Sequence, residues 1–267
     1  MNKNKNSVKG FLSGGMIGIL GGLVGLGGAE FRLPLLIYFF NFNAISAVIL
    51  NKAMSLVVVG FALPFRLSTT PISMLVENSN IIFTLLFGSI MGAWFGAGFA
   101  VKLKGQTLYK VISGLLLFIA IVLIMDHYSL HHSGNLFHND LLNIGVGVIL
   151  GLIIGAIAAI LGVAGGELYI PTIILIYGVD IKLAGSLSLA ISLPTMLVAF
   201  FRYSRDDSFK VLYTMKSFTA IFALGSIIGA YIGSLFLGII SPNVLIPILC
   251  LILLLSSYKM LKHKEAV

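Results

Sequence analysis

Charged residues are scarce in this chain of 267 residues. Asp, Glu, Lys and Arg make up 10% of it, whereas 58% of the residues are hydrophobic and the mean hydropathy is +1.08. About a quarter of the residues in a soluble domain are charged. The scarcity therefore excludes an ordinary soluble domain and predicts an integral membrane protein built from spanning helices. The apolar runs are continuous and do not alternate with polar residues, which argues against a transmembrane β-barrel.

Cysteine is almost absent as well. The single cysteine, Cys250, cannot form an intrachain disulfide, and we interpret it as a small buried apolar residue. Lysine and arginine outnumber the acidic residues by 17 to 9, but they cluster at the ends of apolar runs. This pattern is typical of cytoplasmic loops in membrane proteins and does not indicate nucleic acid as a partner. No cleavable signal is visible, so the first apolar run is expected to be a retained helix.

The chain contains two copies of one pattern, and one fixed offset relates every matching pair of positions. The first copy reads GLGGAEFRLP from Gly25 to Pro34, and the second reads GVAGGELYIP from Gly162 to Pro171. Apolar bias alone does not place Gly, Glu and Pro together at one fixed offset, so we interpret the halves as a duplication. The predicted units are a cytoplasmic tail (1–9), a first repeat (10–125), an external His-rich loop (126–140), a second repeat (141–261) and a second cytoplasmic tail (262–267).

The short run after each Gly-rich segment predicts a broken helix. Gly10 to Gly28 forms about 28 Å of helix, but Phe31 to Phe40 forms only about 15 Å and cannot span about 30 Å of hydrocarbon. If the two runs form a hairpin that returns to the side it entered, 13 Lys and Arg residues lie inside and 2 outside, whereas a single crossing gives 11 and 4. This bias favours an all-α polytopic membrane protein of two inverted repeats, each with a re-entrant hairpin and three transmembrane helices, and with both termini cytoplasmic.

Two short helices that begin inside the membrane are expected to form an anion site. The first N–H groups of a helix lack intrahelical partners and carry a partial positive charge, and glycine lets the backbone approach a ligand closely. Proline is tolerated in the first turn of a helix, where we expect Pro34 and Pro171. The expected tip residues are Gly27, Gly28, Ala29, Ala164, Gly165 and Gly166.

Glu30 and Glu167 have two interpretations. As proton carriers they would bind a proton together with the substrate, since an ionisable residue inside a membrane is usually functional. As structural residues they would cap the first N–H groups of each short helix. Proton coupling through either glutamate is the preferred source of energy.

Arg32 and Lys52 place cations in apolar surroundings, where each needs a carboxylate, a carbonyl or a bound anion as its partner. Tyr169 and Leu189 occupy the matching positions of the second half, so the pocket is expected to be asymmetric. The alternatives are snorkelling toward the surface and an ion pair between Glu30 and Lys52.

Polar residues in the following helices complete the expected substrate-binding set. These are Asn51, Ser188 and Ser192, with Ser55 and Thr195 as further residues along the path, although Ser and Thr often bond to their own helix. The small-residue stripes Gly88/Gly92/Gly96 and Gly225/Gly229/Gly233 are interpreted as packing faces. The loop histidines His127, His131, His132 and His138 lack cysteine support, so no metal site is predicted there.

The two tip segments resemble those of the TauE/SafE family of membrane permeases, also called the sulfite exporter family. GLGGAEFRLP and GVAGGELYIP match the family hallmark, a Gly-rich tip followed by apolar residues and Pro in each repeat. Asn51-Lys52 is similar to a segment common after the first tip, and Ala29 and Ala164 are mild departures. The resemblance runs from about Gly10 to Leu261 and implies transport of small anions, often sulfur oxyanions or sulfonates.

We therefore expect a secondary transporter in a bacterial inner membrane rather than an enzyme. Its substrate would be a small anion held between the tips, carried across by rocking one half against the other. A channel for small solutes is the alternative. The expected partners are the anion and the lipid bilayer. The sequence does not decide between a monomer and a homodimer, and no cofactor or metal is predicted.

Overall fold

The computed structural model describes residues 3–24, 28–67, 71–128, 140–179, 181–235 and 242–262, which form α-helices and short connections without strands. The helices are α1 (Lys3–Val24), α2 (Ala29–Tyr38), α3 (Ala44–Leu67), α4 (Ile72–Glu77), α5 (Ser79–Ala100), α6 (Gly105–Tyr128), α7 (Asp140–Leu161), α8 (Gly166–Tyr177), α9 (Ile181–Tyr203), α10 (Lys210–Thr214), α11 (Lys216–Leu235) and α12 (Pro242–Lys262). The predicted all-α architecture is thus confirmed. A 3₁₀ turn at Asp207–Phe209 precedes α10.

Within these described ranges, five helices are long and apolar enough to cross a membrane, namely α3, α5, α7, α9 and α11. Their outward faces suit a lipid environment, because Phe83, Phe87 and Phe95 on α5 are 68%, 63% and 67% exposed. In water such a row of aromatic rings would be a large apolar patch, whereas in a bilayer it is the expected lipid-facing surface. The protein is therefore a polytopic membrane protein.

Some helix bounds differ from those predicted. Helix α1 begins at Lys3, within the predicted tail, because its polar first turns continue the helical backbone of the apolar run. Helices α6 and α7 extend into both ends of the predicted His-rich loop, and residues 129–139, with three of its four histidines, lie outside the described residues.

Helix positions repeat at the same offset as the residues. The pairs of starting residues are Lys3 and Asp140, Ala29 and Gly166, Ala44 and Ile181, Ser79 and Lys216, and Gly105 and Pro242, each with the spacing that separates Gly25 from Gly162. The duplication read from Gly, Glu and Pro therefore extends to the order and length of the elements.

In each half the short helix folds back along the long one before it. Near the open end of the first hairpin, Lys9 Nζ of α1 lies 5.8 Å from the ring centroid of Phe39, just after α2. Near its tip, a Cβ added to Gly28 would lie 2.7 Å from the Ile17 carbonyl oxygen. In the second hairpin, the Tyr177 hydroxyl at the end of α8 donates to the Asn143 carbonyl oxygen near the start of α7, at 3.4 Å. Helices α1 and α2 therefore form a hairpin and not one continuous rod.

The two halves interlock through their glycine stripes. Helix α1 packs along α11, and its symmetry equivalent α7 packs along α5. A Cβ added to Gly92 would lie 1.9 Å from the Leu152 carbonyl oxygen, and one added to Gly225 would lie 2.3 Å from that of Phe11. Only glycine allows such close backbone contact. The stripes are packing faces, as predicted, and each joins a helix of one half to a helix of the other.

The order of contacts between α6 and α12 favours inverted halves. Ser113 of α6 bonds to Ser257 of α12, with 2.9 Å between the two hydroxyl oxygens, and the Cys250 thiol lies 3.7 Å from the Ala120 carbonyl oxygen. Residue numbers rise along α6 as they fall along α12, so these equivalent helices are antiparallel. A two-fold axis along the membrane normal would make them parallel, whereas an axis in the membrane plane makes them antiparallel.

The ends of α5 and α9 support the same topology. A Cβ added to Gly98 would lie 3.1 Å from the guanidinium of Arg202, so the two helices end on one side of the protein. The hairpin topology places both ends on the same side of the membrane, whereas a single crossing in each half would place them on opposite sides.

Candidate functional site at the paired tips

Each short helix is preceded by a glycine in a backbone conformation that only a residue without a side chain adopts easily. Gly28 before α2 has φ 67° and Gly165 before α8 has φ 89°, both left-handed, and Gly162 has φ 69°. Such backbone is strained for other L-residues. Glycine at these positions lets the chain reverse sharply and start a new helix inside the bundle. Gly27 lies outside the described residues.

The expected tip residues lie at the buried starts of the two helices. Arg32 N–H donates the first helical bond of α2, to the Gly28 carbonyl oxygen, at 3.2 Å, and Tyr169 N–H donates the equivalent bond to Gly165 at 3.0 Å. The Leu168 N–H also donates to the Gly165 carbonyl oxygen, at 3.0 Å. The N–H groups that precede Leu168 in α8, and those that precede Arg32 in α2, have no backbone acceptor in their own helix. Ala29, Ala164, Gly165 and Gly166 are all buried.

The prolines lie deeper in the helices than predicted. Pro34 is the sixth residue of α2, and Pro171 is the sixth of α8, so both occupy the second turn rather than the first. A proline there has no N–H for the carbonyl four residues earlier. Those carbonyls belong to Glu30 and Glu167, so each tip has an oxygen that its own helix does not satisfy.

Glu30 and Glu167 meet where the tips converge. They are 2% and 1% exposed, and their charges interact with each other although they belong to different halves of the chain. One oxygen of Glu30 and both oxygens of Glu167 have no hydrogen-bond partner among the described residues. Two facing carboxyls are costly to bury in ionised form unless cations or donors lie beside them, because each charge repels the other.

Two cations share this buried cluster. Arg32 is fully buried, and its charge interacts with that of Glu30. Lys52 is 1% exposed, and its charge interacts with that of Glu167. The pairing of Lys52 with Glu30 considered from the sequence is thus replaced by an interaction across the halves. Neither cation snorkels to the surface.

Helix α3 of the first half holds the tip of the second. Lys52 Nζ donates to the carbonyl oxygens of Ala158 and Val163, at 3.0 and 2.5 Å, and the Ser55 hydroxyl donates to that of Gly162 at 3.4 Å. Gly162 and Val163 follow the end of α7, where carbonyls lack helical N–H groups, whereas the Ala158 carbonyl oxygen also accepts from the Val163 N–H at 3.0 Å. The polar residues of α3 therefore add donors at the end of α7.

Asn51 joins the two tips directly. Its side-chain Nδ2 donates to the carbonyl oxygen of Ala29 at 2.9 Å and to that of Leu161 at 3.2 Å. The Asn51 Oδ1 accepts from Arg32 Nη1 at 3.4 Å, and Arg32 Nη1 also donates to the Ser55 hydroxyl oxygen at 3.2 Å. The sequence indicated Asn51 as a polar residue in an apolar run, but not that it contacts both halves.

The second half lacks this arrangement. Tyr169, at the position equivalent to Arg32, donates its hydroxyl to Ser89 at 2.7 Å, and Ser89 donates to the Leu85 carbonyl oxygen at 2.6 Å. Leu189 occupies the position equivalent to Lys52. Both cations of the cluster therefore come from the first half, and the expected asymmetry is present.

The serines of α9 divide into two kinds. Ser188 donates to the Gly185 carbonyl oxygen at 2.8 Å, and Thr195 donates to that of Ile191 at 2.8 Å, so both bond to their own helix. The Ser192 hydroxyl is fully buried and has no partner among the described residues. Ser192 thus retains an unused donor inside the protein, whereas Ser188 does not.

No group of His, Cys, Asp and Glu in the described part of the chain is arranged to hold a metal ion. The cluster at the tips instead combines two carboxyls, a guanidinium, an ammonium and the starts of two helices. Such a set can bind a small anion, with the glutamates adjusting the charge by taking up protons.

Comparison with known proteins identifies one family. The sequence model of the sulfite exporter TauE/SafE family matches residues 10–260. This range includes both hairpins, both tips and all the residues of the buried cluster. No curated protein and no solved structure matches the chain.

Proposed function

The chain belongs to the sulfite exporter TauE/SafE family of membrane permeases for sulfur compounds, and from this premise we propose that it is a secondary transporter of a small anion. The substrate class is a sulfur oxyanion, an organosulfonate or a carboxylate, bound between the two Gly-rich tips. The protein would act in the inner membrane with both termini in the cytoplasm.

The buried cluster of Glu30, Glu167, Arg32 and Lys52 is the observation that supports this proposal. With all four groups ionised, two negative and two positive charges balance. An anion that enters adds a negative charge at low dielectric, where an unbalanced charge is costly. A proton taken up by either glutamate restores the balance, so anion and proton would bind together.

The packing also indicates which bodies would move. Helices α1 and α11 are locked by backbone contact, as are α5 and α7, so the two sequence halves are not independent units. We propose instead that one moving body contains α1, α2, α3 and α11, and the other contains α5, α7, α8 and α9. Each body carries one tip, and alternating access would follow from rocking these bodies around the cluster.

Uptake by purified protein in proteoliposomes tests the proposal. Wild type should accumulate a labelled anion such as thiosulfate faster when a proton gradient is applied. Glu30→Gln and Glu167→Gln keep the shape of each side chain but cannot change charge, so the gradient should no longer accelerate uptake in the variant of the glutamate that carries the proton. Thr219→Ala, which removes a bond to the Met215 carbonyl oxygen at the start of α11, is the matched control and should behave as wild type.

The proton role is wrong if both glutamine variants transport at the wild-type rate and still respond to the gradient. Saturable accumulation against a concentration gradient would exclude the alternative, a channel. A thermal-shift screen with sulfite, thiosulfate, sulfonates and carboxylates would identify the anion class, since a ligand stabilises the state that binds it.

A further inference from the structure

A cavity lies away from the tips, between helices α5, α7 and α9. Its volume is about 620 Å³, within the range of small-ligand sites. The residues that line it include Trp94, Phe95, Phe99, Lys102, Ile160 and Arg202. Phe95 and Phe99 are 67% and 52% exposed, so the cavity is a groove open to the lipid-facing surface.

The groove combines an apolar wall with a basic end. The Arg202 guanidinium carbon lies 5.7 Å from the Trp94 ring centroid, and that of Arg205 lies 5.0 Å from the same ring. Gly98 has no side chain where Arg202 passes, since a Cβ there would lie 3.1 Å from the guanidinium. Lys102 adds a third cation in the turn after α5. The Trp94 ring thus makes cation–π contacts with both arginines at one end of the groove.

The acidic residues of the neighbouring loop have other partners. Asp207 forms an ion pair with Lys210 at 2.7 Å, and Asp206 accepts from the Ser208 N–H at 2.9 Å. The positive charge of Arg202, Arg205 and Lys102 therefore remains to attract an anion.

The symmetry-equivalent positions of the other half carry no positive charge. At the offset that relates the two repeats, Lys102 corresponds to Ile239, Arg202 to Phe65 and Arg205 to Ser68, while Tyr231 replaces Trp94. If the groove were only a by-product of the repeated fold, the two equivalent positions would not differ in charge. In the inverted topology, the basic copy faces the cytoplasmic leaflet, where anionic lipids give the membrane a negative surface.

We propose that this groove binds an anionic phospholipid, with its phosphate between Arg202 and Lys102 and an acyl chain against Phe95, Phe99 and Ile160. The cations supply the charge complementarity, and the aromatic and aliphatic side chains supply the apolar contact. The site is separate from the tips and does not depend on the identity of the transported anion.

Native mass spectrometry of the full chain in detergent tests the site. Phosphatidylglycerol should bind as a defined adduct, whereas phosphatidylcholine, whose headgroup has no net charge, should bind at least tenfold more weakly. The double variant Lys102→Gln/Arg202→Gln should lose affinity for phosphatidylglycerol by about fivefold for each cation removed. Lys259→Gln, which removes an exposed cation of α12, is the matched control and should bind as wild type.

A second variant keeps the proposal testable if the double variant folds poorly. Ile160→Trp should fill the groove and displace the acyl chain while leaving every cation in place. Equal binding of the two lipids by wild type would overturn the proposal, as would an equal loss in Lys259→Gln. Stabilisation by inorganic phosphate to the same extent as by phosphatidylglycerol would also overturn it, because the site would then recognise a free anion.

Discussion

At the scale of residues, the most informative feature is a polar side chain that donates hydrogen bonds to carbonyl oxygens of helices other than its own. Asn51 contacts the carbonyl oxygens of Ala29 and Leu161, which belong to different halves of the chain. Both carbonyls are in a buried region where water does not replace a lost donor. The position of each tip therefore depends on one amide in α3.

Asn51→Ala tests this dependence. The substitution removes a side-chain donor from two buried carbonyl oxygens, of which that of Leu161, the last residue of α7, has no helical donor, and we expect the free energy of unfolding to fall by about 1–3 kcal/mol. Transport should fall further than stability predicts, because the tips lose their common anchor. Thermal unfolding in detergent and uptake in proteoliposomes would measure the two effects.

Ser188→Ala is the control for this change, since its hydroxyl bonds only within α9. It should cost less than half as much stability as Asn51→Ala. An Asn51→Ala variant with wild-type transport would show that the amide does not position the tips.

At the scale of elements, glycine stripes decide which helices can lie together. Gly88, Gly92 and Gly96 let α5 contact the backbone of α7, where an added Cβ would lie 1.9, 1.9 and 2.7 Å from carbonyl oxygens. In a bilayer the apolar surfaces of helices gain nothing from leaving water, so close packing is a main source of association. Each stripe therefore holds together the helices of one of the two proposed bodies.

Gly92→Ala should disrupt this contact. A methyl group would force the α5 and α7 backbones apart, and we expect the variant to lose the folded monodisperse peak in size-exclusion chromatography or to unfold at a clearly lower temperature. Gly114→Ala on α6 is the matched control, since an added Cβ there has no atom within 4 Å. The control should be neutral or gain up to about 1 kcal/mol from higher helix propensity. Equal behaviour of the two variants would refute the packing role.

At the scale of the whole molecule, the relation between the halves determines how the tips face each other. Inverted halves enter from opposite sides and bring Glu30 and Glu167 together at the axis that relates them. Parallel halves would place the equivalent tips at the same depth and pointing the same way. The antiparallel pair α6 and α12 distinguishes the two arrangements.

A disulfide between Ser113→Cys and Ser257→Cys tests the arrangement in a Cys250→Ala background. The two hydroxyl oxygens are 2.9 Å apart, and a disulfide needs its sulfurs within bonding distance. Oxidation should therefore link these helices rapidly. When the loop between the two halves is then cut with a protease, the linked halves should stay together and run as one band on a non-reducing gel. The pair Ser113→Cys with native Cys250 should not link, since Cys250 faces Ala120. Linking of the control pair instead of the test pair would contradict the antiparallel order.

The elements of the fold were largely predictable because membrane insertion depends on properties that act locally. Apolar length indicates a span, a Gly-Glu-Pro block inside such a run indicates a break, and the distribution of Lys and Arg indicates the side. The positions of Pro34 and Pro171 were predicted wrongly, because the sequence does not mark the first residue of a helix that begins at a left-handed glycine.

The amino-acid sequence by itself determined that this protein lies in a membrane, that it is duplicated, and that two Gly-rich tips carry buried glutamates. Only the tertiary structure decided that α1 packs on α11, that α5 packs on α7, and that α3 of the first half holds the tip of the second. Those contacts join segments that are far apart in the chain. They depend on how backbones fit and on which buried carbonyls need a donor, and neither property is local to any segment of the chain.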